Sequence, residues 1–330
     1  MTDSIERRPI AGTRLTTSVL GISLSRGPRT SPEPDRAAVA GLRRALADGV
    51  TTFDLTSVPS VPRAAQLIVS AVPEPDDRLV FWLRPVLPSS LLPLRAAPAS
   101  APWASSGSAS VSREEFVASI RALRGRGSVL IDWDPEEDSA PEARSTAVWL
   151  DELESEGLVA GRSRHLRPRR LSEIPRNSIP SEFPVSTEIS LLDPLTAQSL
   201  DVLFGGRSPC VLVRDPFAGG LLDGSRTSSG LTDRDLPARP IDLRTLHAEF
   251  DPVLRLAPLT RDGRRTLAQA AIQYILRWSW TAAVMVPVAS TGRWDEIRSA
   301  LFRPPPSERV LASLGLIPRR EEGAEPAPSS

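Results

Sequence analysis

Short apolar and β-branched runs alternate with helical runs from residue 20 to residue 286, and this alternation limits the possible folds more than any other feature. The strand-like runs are Leu20-Gly-Ile-Ser-Leu24, Val50-Thr-Thr-Phe-Asp54, Leu79-Val-Phe-Trp-Leu83 and Ser128-Val-Leu-Ile-Asp132. They continue with Leu158-Val-Ala-Gly161, Phe183-Pro-Val-Ser-Thr-Glu188, Cys210-Val-Leu-Val213 and Ala282-Ala-Val-Met-Val286. Helical candidates lie between them. In the first, Asp35 to Asp48, the spacing puts Ala38, Leu42 and Leu46 on one stripe, with an Asp start and Gly49 as a stop. Glu114–Leu123 and Ala147–Glu156 read the same way. Eight strands alternating with helices predict an α/β (β/α)₈ TIM barrel. The predicted domain is a single barrel over residues 1–317, with a Pro/Ala/Ser-rich rim loop at 85–111 and a flexible tail at 318–330.

A chain of 330 residues, 40% hydrophobic, can bury a large core. Its 40 basic side chains balance 40 acidic ones, which gives no reason to expect a nucleic acid or an anionic membrane as partner. The one cysteine, Cys210, excludes an internal disulfide framework and a Cys-rich zinc site, and its apolar strand makes it a core residue. The N-terminus lacks a signal-like apolar stretch, and no run is long enough to span a bilayer. A cytoplasmic protein acting on a small-molecule substrate is the expectation. All 40 basic residues are arginine and there is no lysine, while Tyr274 is the one tyrosine. On a surface arginine replaces lysine easily, but at a proton-transfer position it does not, because the guanidinium stays protonated.

Several segments, in order, resemble those of one known barrel family. Arg8–Ile22 is similar to its opening hairpin and first strand, and Ala45–Asp54 to the helix-turn-strand carrying its catalytic aspartate. Leu150–Ser163 resembles the segment entering its cofactor motif, and Glu188–Leu192 and Pro216–Gly224 match two further segments. Val286–Ser290 with Glu296–Leu301 looks like its last strand and phosphate-side helix. The resemblance is to the aldo-keto reductase family and implies an aldo-keto-reductase-type barrel with an N-terminal β-hairpin. It places the family's aspartate at Asp54, but Pro59 at its tyrosine and Arg84 at its lysine. The family histidine falls at Asp132 or Asp134, which share a strand face by alternation. The carried-over cofactor positions are Ser163, Arg164, Arg214, Gly219, Gly220 and Ser290, with Ser186 at a glutamine position. The family's Asn is Arg164, and an aromatic that flanks the nicotinamide is Arg214.

The resemblance therefore implies that the carbonyl-reductase tetrad has been lost. No cofactor is expected, with NADP(H) as the alternative. Asp54, Arg84, Asp132 and Asp134 are the candidate catalytic residues; crowded carboxylates around an arginine push one pKa up and another down. Such a cluster suits elimination, cyclisation or isomerisation of a small metabolite, as in natural-product biosynthesis. An inherited structural ion pair is the competing reading. Two further functions stand beside it: an NADP-dependent oxidoreductase with a reassigned proton donor, and a non-catalytic ligand-binding or partner subunit. His165 lies in a basic run, Arg162 to Arg170, and is expected at a helix-entry surface; His247 is expected to be structural. Their separation gives no metal spacing. Trp82, Trp133 and Trp149 are expected to pack between barrel and helices.

Overall fold

The computed structural model describes residues 5–24, 32–56, 61–85, 112–134, 140–175, 179–180, 183–205, 210–224, 251–287 and 291–318. An antiparallel hairpin comes first, β1 (Arg7–Pro9) and β2 (Thr16–Ser18), pairing Arg7 with Ser18. Eight parallel strands follow: β3 (Leu20–Ser23), β4 (Thr52–Asp54), β5 (Val80–Leu83), β6 (Ser128–Trp133), β7 (Gly161–His165), β8 (Val185–Glu188), β9 (Val211–Arg214) and β10 (Thr281–Pro287). They close in sequence order, with β10 hydrogen-bonded to both β9 and β3. Among the described residues the helices are α1 (Pro32–Ala47), α2 (Val61–Ala71), α3 (Arg113–Arg124), α4 (Ala140–Ser155), α5 (Pro194–Phe204), α6 (Leu267–Leu276), α7 (Thr291–Arg298) and α8 (Glu308–Ser313). This is the (β/α)₈ barrel with an added hairpin that the sequence predicts. Residues 86–111 and 319–330, Pro59, His247 and Ser290 lie outside the described residues.

Strand alternation sorts every barrel residue into one of two cores. Phe53, Phe81, Val129, Ile131, Val213 and Val284 point outward into the layer beneath the helices. Val80, Trp82, Leu130, Leu212 and Met285 point inward and fill the barrel, with Ile10 from the hairpin loop packed among them. Trp82 is thus an interior residue and not the expected barrel–helix contact, because it shares the inward parity of Val80. Trp149 behaves as expected, its ring 5.8 Å from Phe116 of α3. Met285 has room because position 21 is glycine: a Cβ there would lie 2.4 Å from its Sδ. Cys210 belongs to the inner core as well, and burial pushes its thiol up to about 11.

Two local readings change. The stripe on α1 centres on Leu42 and Ala45, both fully buried, while Ala38 and Leu46 are only half-buried. More consequentially, the fifth barrel strand is Gly161–His165, not Leu158–Gly161. The apolar pair Leu158 and Val159 packs against the outer core instead. The strand itself is polar because one of its faces meets the helix layer and the other the barrel mouth. Arg162 reaches Asp151 at 2.5 Å and Glu154 at 2.8 Å on α4, while Ser163 and His165 turn inward and are buried.

Candidate active site

The inward residues at the C-terminal strand ends are polar where those below are apolar. In barrel order they are Ser23, Asp54 with Thr56, Arg84, Asp132, Ser163 with His165, Ser186 with Glu188, and Arg214. Adjacent registers put them at similar heights: Ser23 beside Asp54, Asp132 beside Ser163, His165 beside Ser186, and Glu188 beside Arg214.

Asp132 is the hub and has no exposed surface. Its Oδ1 accepts hydrogen bonds from Ser163 and Ser186, each at 2.7 Å. Its Oδ2 accepts from Arg84 Nη2 at 3.0 Å and from Arg214 Nη2. Burial alone would raise this carboxyl; the Arg214 and Arg84 guanidiniums, helped by His165 and Ser163, reverse that and hold it well below the usual carboxylate range. Arg214 is almost as deeply buried. Its Nη1 donates to Thr56 Oγ1 at 2.6 Å, and its Nη2 reaches Ser186 Oγ and lies 3.3 Å from His165 Nδ1. The Thr56 hydroxyl passes the chain on, donating to Asp54 Oδ1 at 2.6 Å, where the Thr56 amide also donates at 3.0 Å. Ser23 approaches the other Asp54 oxygen at 3.4 Å. Asp54, Arg84 and Asp132 thus belong to one hydrogen-bonded cluster. Asp134 pairs instead with Arg167 beyond β7, at 3.3 Å. β6 ends at Trp133, so alternation no longer fixes the Asp134 side chain.

His165 is 5% exposed and sits in the mouth, not at a helix-entry surface. A guanidinium only donates, so Nδ1 facing Arg214 must accept, and the ring proton belongs on Nε2. That proton faces Glu188 Oε1, 3.7 Å away. Burial first, then the charges of Arg214 and Arg84, push the imidazole down to about 3, which leaves it neutral at pH 7. Glu188 moves the other way. Partial desolvation raises its carboxyl, and Arg214 and Arg84 pull only part of that back. The mouth therefore holds two carboxyls shifted in opposite directions, Asp132 down and Glu188 up.

Of the other carried-over positions, Arg164, Gly219 and Gly220 are among the described residues. By parity with Arg162, Arg164 lies on the helix-facing side of β7. The Gly219 amide, on a turn with φ of 66°, donates to both Asp215 carboxylate oxygens at 2.8 and 3.0 Å. Gly220 follows with φ of 99° and donates its amide to the Phe217 carbonyl at 3.0 Å. On α7, Arg293 is held by Asp223 at 3.1 Å and by Glu296. Tyr274 is fully buried in α6, and its hydroxyl donates to the Leu316 carbonyl at 3.1 Å. Among the described residues no group of three His, Cys, Asp or Glu side chains is arranged to hold a metal ion. A groove of about 420 Å³ between α2 and α3, lined by Ala65, Val69, Glu115 and Ala122, lies on the outer helix layer, remote from the polar strand ends.

Solved structures place this architecture. The glycerol dehydrogenase AKR11B4 from Gluconobacter oxydans superposes with a TM-score of 0.63 at 14% identity, covering 99% of each chain. The aldo-keto reductase AKR11C1 from Bacillus halodurans gives 0.61 in its holo form and 0.58 in its apo form. Both forms are 19% identical to this chain, covering 94% of it and 95% of theirs. The chain has the aldo-keto reductase fold. No protein-family model matches the sequence, and no curated protein matches it. Among the described residues no helix is long and apolar enough to cross a membrane.

Two residues of the mouth, His165 and Glu188, were not among the sequence candidates, and the signal for them was present. Each lies two positions beyond a residue already singled out, Ser163 and Ser186, and so shares its inward face.

Proposed function

We propose that this aldo-keto-reductase-fold protein uses its barrel mouth for non-redox acid/base chemistry on a small metabolite, as a cytoplasmic enzyme working without NADP(H). The observation carrying this reading is the Asp132–Arg214 pair. In the family pattern, the positions of Ser163, Ser186 and Arg214 serve the nicotinamide. Here both serine hydroxyls donate to Asp132, and Arg214 is buried against Asp132, Ser186 and Thr56. A nicotinamide ring would have to displace a charged side chain from its counter-ion, which is expensive in a buried site. The phosphate side is engaged in the same way, at Gly219 by Asp215 and at Arg293 by Asp223. The proton-donating phenol has no counterpart in the mouth cluster, because the chain's one tyrosine is Tyr274. Asp132 is a poor replacement, being held as a carboxylate with both oxygens engaged.

NADPH titration followed by the fluorescence of the 7 tryptophans tests this, together with NADPH consumption over a panel of aldehydes and ketones. No saturable binding and no consumption are expected. Saturable binding with turnover on the order of 1 s⁻¹ would overturn the reading in favour of an oxidoreductase with a reassigned donor. The self-satisfied pairing of Asp132 favours one second reading, a ligand-binding subunit without catalysis. A metabolite bound and released unchanged, with no proton exchanged, would select it.

A further inference from the structure

The cluster divides into groups engaged internally and groups left available, and the division is uneven. Arg214 directs both terminal nitrogens at protein partners. Asp132 has four donors on two oxygens, and both Asp54 oxygens face hydroxyls. Arg84 differs. Among the described residues its one partner is Asp132, at Nη2; its Nε is buried with none, and its side chain keeps 20% exposure. Glu188 also differs: its side chain is 42% exposed, and among the described residues its ion-pairing contact is with the neutral His165 ring at 3.7 Å, beyond hydrogen-bonding distance. Arg84 follows β5 and Glu188 ends β8, three steps apart around an eight-stranded barrel, so they rise from separate, non-adjacent strands of the mouth. Among the described residues no ion pair joins them, although the Arg84 charge acts on Glu188.

We infer that Arg84 and Glu188 form a substrate-binding pair across the mouth, Arg84 holding the carboxylate of a small 2-oxo acid and Glu188 acting as base toward the carbon beside its carbonyl. This rests on the non-redox reading above. A 2-oxo acid presents a carboxylate oxygen and the adjacent ketone oxygen side by side, and a guanidinium fork with unengaged N–H groups matches that arrangement. The acidic C3–H then projects away from Arg84, toward the β8 wall. A Glu188 oxygen takes the C3 proton, the C–H electron pair becomes the C2–C3 double bond, and the carbonyl π pair moves onto the ketone oxygen. Arg84 is the cation that stabilises this enolate. Return of a proton from Glu188 to C3 regenerates the oxo acid; with a leaving group on C4, its departure completes an elimination. Glu188 suits the base role because desolvation raises its proton affinity while open lone pairs remain. His165 is a positioning residue, its tautomer set by Arg214 so that Nε2–H faces Glu188.

The test uses the full chain and 2-oxobutanoate in deuterium oxide, with proton NMR following loss of the C3 signal. Saturation-transfer NMR reads binding of the same acid. Exchange above the buffer rate is expected. Glu188→Gln should lower it by roughly 10²-fold or more while binding is kept. 2-Oxobutanamide, which lacks the charge, should bind at least tenfold more weakly, and Arg84→Met should erase that difference. No exchange by the wild-type chain, unchanged exchange in Glu188→Gln, or equal binding of acid and amide would each overturn the inference. The acid–amide comparison needs no variant, so it stands even if Arg84→Met fails to fold. Consumption of NADPH with 2-oxobutanoate, read in a separate assay, would overturn the non-redox reading itself.

Discussion

Asp132→Asn removes one charge and almost no volume, which makes it a direct probe of what the hub does. In the native chain one carboxylate accepts from two guanidiniums and two hydroxyls, at 2.7 Å from each serine and 3.0 Å from Arg84. The asparagine amide offers one acceptor and one donor group. Its best orientation keeps the carbonyl toward Arg84 and Arg214 and turns the NH₂ toward Ser163 and Ser186. The hydroxyls then have to accept, yet Ser186 already accepts from Arg214. Hydrogen bonding is partly recovered; the charge is not. Two guanidiniums then share a buried site without a counter-ion, and breaking such a pair costs about 3–5 kcal/mol. Arg84 keeps some exposure and can turn toward water, which favours the lower end, about 3 kcal/mol. Against a total stability of about 5–15 kcal/mol, that is a large fraction. Urea unfolding followed by tryptophan fluorescence should show a lower midpoint at constant slope. Adding Arg214→Met to Asp132→Asn removes the orphaned cation, so the double variant should lose less than the sum of the singles, by about 1.5 kcal/mol or more. A loss below about 1 kcal/mol for Asp132→Asn, or strict additivity, would refute the claim that Asp132 acts as a counter-ion.

Acid stability should report on His165. Its folded pKa is lowered to about 3 from an ordinary 6.5 by burial, Arg214 and Arg84, with Asp132 opposing and Arg167 adding to the shift. The stability it contributes is therefore fully present above pH 6.5 and is lost as pH falls toward 3, so His165→Asn should flatten the wild-type decline of urea midpoint across that window. Glu188, which faces His165, works in the opposite sense: its raised carboxyl favours the fold at low pH and loses that contribution as pH rises through its folded value. Tyr274→Phe removes one buried hydrogen bond to Leu316, and calorimetry should show a loss of about 1 kcal/mol with the deuterium exchange of 2-oxobutanoate unchanged.

Much of the barrel was legible because inward and outward residues of parallel strands are both apolar, giving short continuous runs such as Leu79–Leu83 and Ser128–Asp132. β7 escaped for the converse reason. Its outward residue Arg162 finds acidic partners on α4, and its inward residues Ser163 and His165 serve the mouth, so no apolar signal marks it. The neighbouring Leu158 and Val159 carried the signal instead. Asp54, Arg84 and Asp132 could be placed at the mouth from the family-like segments alone. Asp134 could not, since its side is set by where β6 stops and by Arg167, neither of which alternation contains. Arg214 was flagged as a departure from an aromatic, but only three-dimensional proximity shows that it pairs with Asp132 across four strands.

Arginine in this barrel does more than replace lysine. A lysine beside Asp54 can share and release protons; Arg84 and Arg214 cannot, and two permanent charges in one mouth require a permanent counter-ion. Asp132 supplies it, which fixes Asp132 as a carboxylate and removes it from proton transfer. Burial, with the same two cations, holds His165 neutral, so the imidazole also leaves the titratable set near pH 7. The Glu188 carboxyl moves the other way, because burial raises its proton affinity by more than Arg214 and Arg84 lower it. On the reading proposed above, the arginines on the β5 and β9 walls leave the available proton chemistry to the β8 wall. A chain with lysine restored at position 84 and a neutral aromatic at position 214 should move it back: Asp132 would be released from its counter-ion role, and the dependence of proton exchange on Glu188 should fall. If Arg84→Lys/Arg214→Phe folds and its exchange still depends wholly on Glu188, the two arginines are not what sets where the protons go.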